Sequence, residues 1–359
     1  ILFVGYIGRV VVMFIDIYAS KYVTVLHSGD DAIAFYRTAL AIYENGWAER
    51  EAAYTRTLSK FFHIVGANRV LAQYLNVLCF VGTVMVILCI IKRFPIERRY
   101  KTWVLAFLCF MPNYICLSSI LLRESSMIFF DTLSLYFFVC WMQSDKWRDF
   151  GLAFVAALPA IIFHSASIGM WISYIVIAIV WDGKHKKIRW NRRSGIFVGM
   201  ALVALLIIEI VPSLRQMLLY YIPSDFSWRS LSGRYFVDGG SDYLRDISVN
   251  SWGDFFYWTP VRMWYFTLSP MPTDWRGLGD AFAFVVDSLP IIVFTVGIFI
   301  GLRKNQNWRY ACVGLLCCLA IIGIFAWGVT NAGTAMRHRG LLIGVFAISY
   351  CISKSKQEG

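Results

Sequence analysis

The chain has 359 residues, 58% of them apolar and only 16% charged, with a mean hydropathy of +0.60. A soluble domain of this size carries about 45–50% apolar and about 25% charged residues, so the composition argues against an ordinary water-soluble enzyme and predicts a polytopic membrane protein. The 34 Lys and Arg against 22 Asp and Glu give a net charge of +12, but much of the excess sits in short segments between apolar runs, where it sets topology rather than binding nucleic acid.

Taken in chain order, apolar runs predict helices at 1–19, 70–91, 102–121, 125–142, 150–164, 166–182, 195–211, 281–302, 310–330 and 340–352, lengths suited to crossing about 30 Å of hydrocarbon with help from tilt. The expectation is an all-α polytopic membrane protein of about ten transmembrane helices, one transmembrane domain over 1–359. Every second connection is basic: Lys92 to Lys101, Lys146 and Arg148, Lys184 to Arg193, and Arg303 to Arg309. By the positive-inside rule that places both termini and these loops in the cytoplasm of a multi-pass chain. The first run contains Arg9 and Asp16 and no small-residue cleavage site, which argues against a removable signal peptide. The 9 cysteines lie in or at the ends of apolar runs, without metal-ligand spacing, and read as small core residues.

Two long segments, 20–69 and 212–280, fall on the expected external face, and long loops on one side are where function concentrates. In the first, Ile33, Tyr36, Leu40 and Tyr43 recur at helical spacing after Asp30-Asp31, and Asn45-Gly46 supplies a stop; a second helical pattern runs from Glu51 to Val65. Both predict amphipathic helices lying in the membrane interface. The second segment is rich in Trp, Tyr and Phe, from Trp228 to Trp275, and predicts a fold back over the membrane surface.

Candidate chemistry gathers on the same face. Asp30 and Asp31 at a helix start read structurally as an N-cap and a first-turn acid, and functionally as a general base that takes the proton of an attacking sugar hydroxyl. Residue types alone do not choose between the two aspartates. A metal role with nearby His27 lacks a second ligand cluster of recognisable spacing, so no metal or other cofactor is expected. Arg123 and Glu124 interrupt an apolar stretch, either marking a hairpin turn or presenting a guanidinium to a diphosphate. Arg337, His338 and Arg339 repeat the theme before the last run. With Arg229, Arg234, Arg262 and Arg276 they predict a basic cavity for an anionic lipid headgroup. His164 ends the fifth run at the same level, as a structural group or as a donor to a leaving phosphate. Asp131, inside the fourth run, is expected to pair with Arg9 or with backbone groups.

Several stretches resemble bacterial membrane glycosyltransferases of the GT-C type, and more closely the EpsG-like and Wzy-like polymerases of exopolysaccharide and O-antigen synthesis. They are Gly29-Asp30-Asp31 with Tyr36, Leu122-Arg123-Glu124 before an apolar helix, Ile162 to Ser167 around His164, and Asn331 to Thr334 leading to Arg337 and Arg339. The resemblance implies a GT-C-like bundle and an inverting transfer of a sugar or oligosaccharide from an undecaprenyl-diphosphate donor to an acceptor glycan hydroxyl, during surface polysaccharide or capsule synthesis. It implies the bacterial inner membrane as the location, Asp30 or Asp31 as base, and Arg123, His164, Arg337 and Arg339 at the lipid diphosphate, with Tyr36 of the first segment at the substrate. The second segment lacks the paired Arg-to-Gly spacings of Wzy chains, so the resemblance does not map Arg229, Arg234 and Arg262, which are expected at the substrate as members of the basic cavity. Implied partners are the polyprenyl-linked glycan donor and acceptor, membrane lipid and a chain-length regulator. The chain departs from EpsG-like sequences, which usually read Arg-Gln where this one reads Arg123-Glu124. Rival expectations are a lipid-linked oligosaccharide flippase, which would show repeat symmetry between halves, and an O-antigen ligase or a transferase using a polyprenyl-monophosphate sugar.

Overall fold

The computed structural model describes residues 1–190, 194–196, 198–199, 240–245, 247, 249–303 and 307–356, apart from the side chain of Asp30. The described residues form helices joined by turns and loops, with one two-residue antiparallel ladder pairing Trp181–Asp182 with Lys187–Ile188 and isolated bridges at Ile96–Ser355 and Asp242–Asn331. The helices, numbered in chain order, begin with α1 (Leu2–Tyr18), α2 (Asp30–Asn45), α3 (Ala53–Val65), α4 (Arg69–Arg93) and α5 (Arg98–Phe110). There follow α6 (Pro112–Leu117), α7 (Glu124–Ser144), α8 (Trp147–Phe163) and α9 (Ile168–Val180). The C-terminal part holds α10 (Trp252–Leu268), α11 (Leu278–Ala283), α12 (Leu289–Leu302), α13 (Trp308–Gly328), α14 (Ala332–Arg339) and α15 (Ile343–Ser353).

Local chemistry sets many of these boundaries. The Asn68 carboxamide oxygen accepts from the Val70 and Leu71 amides at 2.9 and 3.2 Å and starts α4, which ends on Lys92 and Arg93, cations that suit a helix C-terminus. Gly46, at φ 81°, gives α2 the left-handed residue that closes it. Asn331 caps α14 by accepting from the Thr334 amide at 2.8 Å.

The structure corrects the expected ten-span bundle. Among the described residues four helices are long and apolar enough to cross a membrane: Arg69–Arg93, Glu124–Ser144, Leu278–Leu302 (α11 and α12 made continuous by a π-helical turn over Phe284–Ser288) and Trp308–Gly328. The run at 102–121 is split, because Pro112 opens a new helix and Met111 between α5 and α6 has extended backbone. The runs at 1–19 and 150–164 form helices of only 17 residues, and α1 buries the charged Arg9 and Asp16. The run at 166–182 becomes a shorter apolar helix, and most of 195–211 lies outside the described residues. The run at 340–352 becomes α15, whose 11 residues reach about 16 Å at 1.5 Å per residue. All but Tyr350 of α15 are buried in protein; Gly344 and Gly314 permit that packing, since a Cβ at Gly344 would meet the Thr132 hydroxyl of α7 and one at Gly314 the Ser349 hydroxyl of α15.

The multi-pass inner-membrane placement, with both termini cytoplasmic and the site external, rested on that span count and falls with it. The four apolar helices support a membrane-associated protein, and no finer placement. The first long segment forms two helices, α2 and α3. Their apolar sides pack on protein, Ala39 of α2 and Tyr54, Leu58 and Phe62 of α3 forming one buried cluster with Ala72 of α4 and Leu121.

Candidate functional site

The first support of the site is Asp16, buried in α1, whose carboxylate accepts from Arg69 Nη2 at 3.1 Å, from Gln73 Nε2 at 2.6 Å and from the Ser28 hydroxyl. This anchors the segment before α2 to α1 and α4. Next to Ser28, His27 adopts a left-handed backbone (φ 66°), and its Nε2 donates to the Asn113 carboxamide oxygen at 2.9 Å. The Asn113 amide donates to Asp287 Oδ1 at 2.7 Å and to the Met336 carbonyl at 2.8 Å. One buried Asn therefore joins the 24–29 segment, α6, the turn before α12 and α14.

The second support is Asn76 of α4, which donates to the Ile120 and Leu122 carbonyls at 2.6 and 2.7 Å. It fixes the turn that leads into α7, and with it Arg123 and Glu124. Arg123 Nη1 donates to the Phe163 carbonyl at 2.8 Å, tying the start of α7 to the end of α8.

On this frame Arg337 of α14 sits between two carboxylates. Its Nε donates to Glu124 Oε1 at 2.6 Å and its Nη1 to Asp31 Oδ2. Glu124 is buried, with 1% of its side chain exposed, whereas 62% of the Asp31 side chain is open. Burial works against the charge on Arg337, but Glu124 and Asp31 outweigh it and hold the guanidinium above its ordinary range. Behind the pair, the His164 and His338 rings lie 5.3 Å apart, His338 stacks on Phe325 at 4.7 Å, and His338 Nδ1 is 3.8 Å from Glu124 Oε1. Burial, reinforced by Arg123 and Arg337, pushes His164 down to about 4. The same causes, with His164 itself second after burial, push His338 well below its usual range. At neutral pH both rings are uncharged, which leaves Arg123 and Arg337 as the cations of this cluster.

The ion pair opens onto a cavity of about 590 Å³ lined by Thr24 to Gly29, Asp31, Gly333, Thr334 and Arg337. A second cavity of about 420 Å³ shares Leu26 and Gly333 with it and is lined largely by apolar groups, among them Pro112, Cys116, Phe282, Ala283, Val286 and Met336. Volumes of this order suit small-molecule sites.

The candidate residues separate into groups. Asp31, Arg123, Arg337 and His164 come together around Glu124. Asp30 opens α2, and its side chain is outside what the structure describes. Arg339, in contrast, is wholly buried against an equally buried Asp287 and donates to Ser288 Oγ at 3.0 Å. Arg262 is buried too; it donates to the Ala326 carbonyl at 3.0 Å with its guanidinium over Trp327. Tyr36 packs edge-on to Phe62 at 5.8 Å, and Arg229 and Arg234 lie outside the described residues. Asp131 accepts from Ser167 Oγ at 2.9 Å and is not the partner of Arg9, which donates to Ser118 Oγ and to the Gly5, Leu108 and Cys109 carbonyls. Asn113, Asp287 and Asp16 escaped the sequence reading as parts of this site. Their signal was a polar residue inside an apolar run, which gives no partner.

Among the described residues no group of three or more His, Cys, Asp or Glu side chains is placed to hold a metal ion. Comparison of the chain with protein-family models, with curated proteins and with solved structures gives no match.

Proposed function

We propose that the protein is a membrane-associated glycosyltransferase of the polysaccharide-polymerase kind, which transfers a sugar or oligosaccharide from a polyprenyl-diphosphate donor to a glycan hydroxyl. The observation that carries the reading is the meeting of an open carboxylate, Asp31, with a largely buried guanidinium, Arg337, at a cavity that shares Leu26 and Gly333 with a mostly apolar one. A glycosyl diphosphate brings its own leaving group, so the protein has to orient an acceptor, remove one proton and stabilise a departing anion. In this mechanism the acceptor oxygen attacks the anomeric carbon and forms the new C–O bond as the bond from that carbon to the diphosphate oxygen breaks. The hydroxyl proton passes to the Asp31 carboxylate. The bonding electron pair leaves with the diphosphate, whose charge Arg337 and Arg123 stabilise. The four apolar helices suit a substrate that arrives in a membrane.

The test is turnover of an undecaprenyl-diphosphate oligosaccharide by the protein reconstituted in lipid vesicles, with product length read on a gel. The reading expects a product from the native chain that Asp31→Asn abolishes and Asp30→Asn largely retains. Full turnover by Asp31→Asn, or donor binding by the native chain without any product, overturns it.

A further inference from the structure

Glu124 is the second carboxylate on Arg337, and the transfer chemistry above does not use it. Its Oε1 accepts a hydrogen bond from Arg337 Nε at 2.6 Å, and its buried Oε2 has no hydrogen-bond partner among the described residues. Asp31 holds the same guanidinium from the solvent side through a different nitrogen, Nη1. While Asp31 Oδ2 accepts from Nη1, that oxygen is turned to the guanidinium rather than to an incoming hydroxyl. To present that oxygen to a hydroxyl Asp31 releases Nη1, and a released Arg337 then needs another anchor. A hydrogen bond through Nε leaves Nη1 and Nη2 free as a planar pair, the fork that matches two phosphate oxygens.

We infer that Glu124 is a positioning residue: it keeps Arg337 by Nε, so that Asp31 exchanges Nη1 for the acceptor hydroxyl while the terminal nitrogens turn to the diphosphate. The inference rests on the reading of the cavity as a lipid-diphosphate transferase site. The charged and titratable groups around this exchange, among the described residues, are Arg337 and His338 on α14, Glu124 on α7 with Arg123 just before it, Asp31 on α2, Tyr54 on α3, His27 before α2, and His164 after α8. With the histidines neutral and Arg123 directed to the Phe163 carbonyl, Glu124 competes with Asp31 for Arg337.

Glu124→Gln keeps an oxygen for Nε and removes the charge, which leaves Asp31 as the stronger partner of Arg337. The experiment measures kcat and KM for the donor against pH in native protein, Glu124→Gln and Glu124→Asp, together with calorimetric binding of inorganic pyrophosphate. The expected result for Glu124→Gln is a kcat at least tenfold lower, with the acid limb of the kcat/KM profile moved to lower pH and KM changed less than kcat. Glu124→Asp recovers most of the rate. A loss of kcat with an unmoved acid limb, or a kcat within twofold of native, overturns the inference, because a packing defect lowers the active fraction without retuning the base. Should Glu124→Gln not fold, the acid limb of Glu124→Asp decides by the same criterion, a smaller shift in the same direction being expected and none overturning it. Failure of the native protein to bind pyrophosphate or to turn over the donor counts instead against the underlying transferase reading.

Discussion

Replacing Arg337 by Lys separates a bidentate anion grip from a simple positive charge. In the structure the guanidinium makes two charge-assisted contacts through two nitrogens, Nε to Glu124 at 2.6 Å and Nη1 to Asp31. A lysine ammonium has one nitrogen and no fork, so it keeps a charge near Glu124 but cannot hold that carboxylate and also present paired donors to a diphosphate. Losing one charge-assisted hydrogen bond in a desolvated site costs about 1.5–3 kcal/mol. At about 1.4 kcal/mol per decade this corresponds to roughly a 10- to 160-fold fall in kcat/KM. Arg337→Ala loses more, since it also strands the buried Glu124 carboxylate, and a broken buried pair costs about 3–5 kcal/mol of stability. The assay is the initial rate against donor concentration, with the melting midpoint of each variant measured alongside to separate lost function from lost fold. An Arg337→Lys protein within twofold of native kcat/KM refutes the bidentate argument, and a fully active Arg337→Ala removes any phosphate role for this residue.

Asp287→Asn is expected to destabilise the fold by about 3–5 kcal/mol, because it leaves the wholly buried Arg339 without its carboxylate; chemical denaturation of the purified protein checks this, and an unchanged midpoint contradicts it. For His164, the folded value of about 4 lies below the ordinary 6.5, so the unfolded chain binds the proton first as pH falls. The stability contributed by keeping this ring neutral is therefore fully present above about 6.5, declines between about 6.5 and about 4, and changes no further below. Melting midpoints across that window should fall less steeply in His164→Gln than in the native protein, and parallel curves would count against the burial argument.

The long apolar helices were legible because each is continuous: runs read at 70–91, 125–142 and 310–330 coincide with α4, α7 and α13. What apolarity could not distinguish is a helix facing lipid from one facing protein. The run that became α15 is as apolar as a span, yet it is short and enclosed by its neighbours. The break at Pro112 was visible as a residue but overridden by the hydropathy around it. At the site, the sequence exposed Arg123, Glu124 and Arg337 as charges interrupting apolar stretches, but not how they pair. Glu124 and Arg337 are 213 positions apart, and Asp287 and Arg339 are 52 apart, separations across which no local pattern runs.

Arg337 and Arg339 show how backbone geometry decides between two residues that look alike. Both were expected at one diphosphate, but they stand two positions apart on α14, and at 3.6 residues per turn that is about 200° around the helix. Two such guanidinia face opposite sides, so the helix can offer the cavity one of them. The protein resolves the remaining charge differently on each side. Arg339 meets Asp287, Ser288 and the Thr267 carbonyl with no exposure, which satisfies the cation within the packed interior. Arg337 meets two carboxylates and lines a cavity, one carboxylate buried beneath it and the other open to solvent. A cation with one buried partner per charge has little reason to move, whereas a cation shared between two acids can surrender the exposed one to an incoming anion. On the proposed reading, that difference makes Arg337 the residue that would couple an anion at the cavity to Glu124 of α7, while Arg339 holds α14 against Asp287.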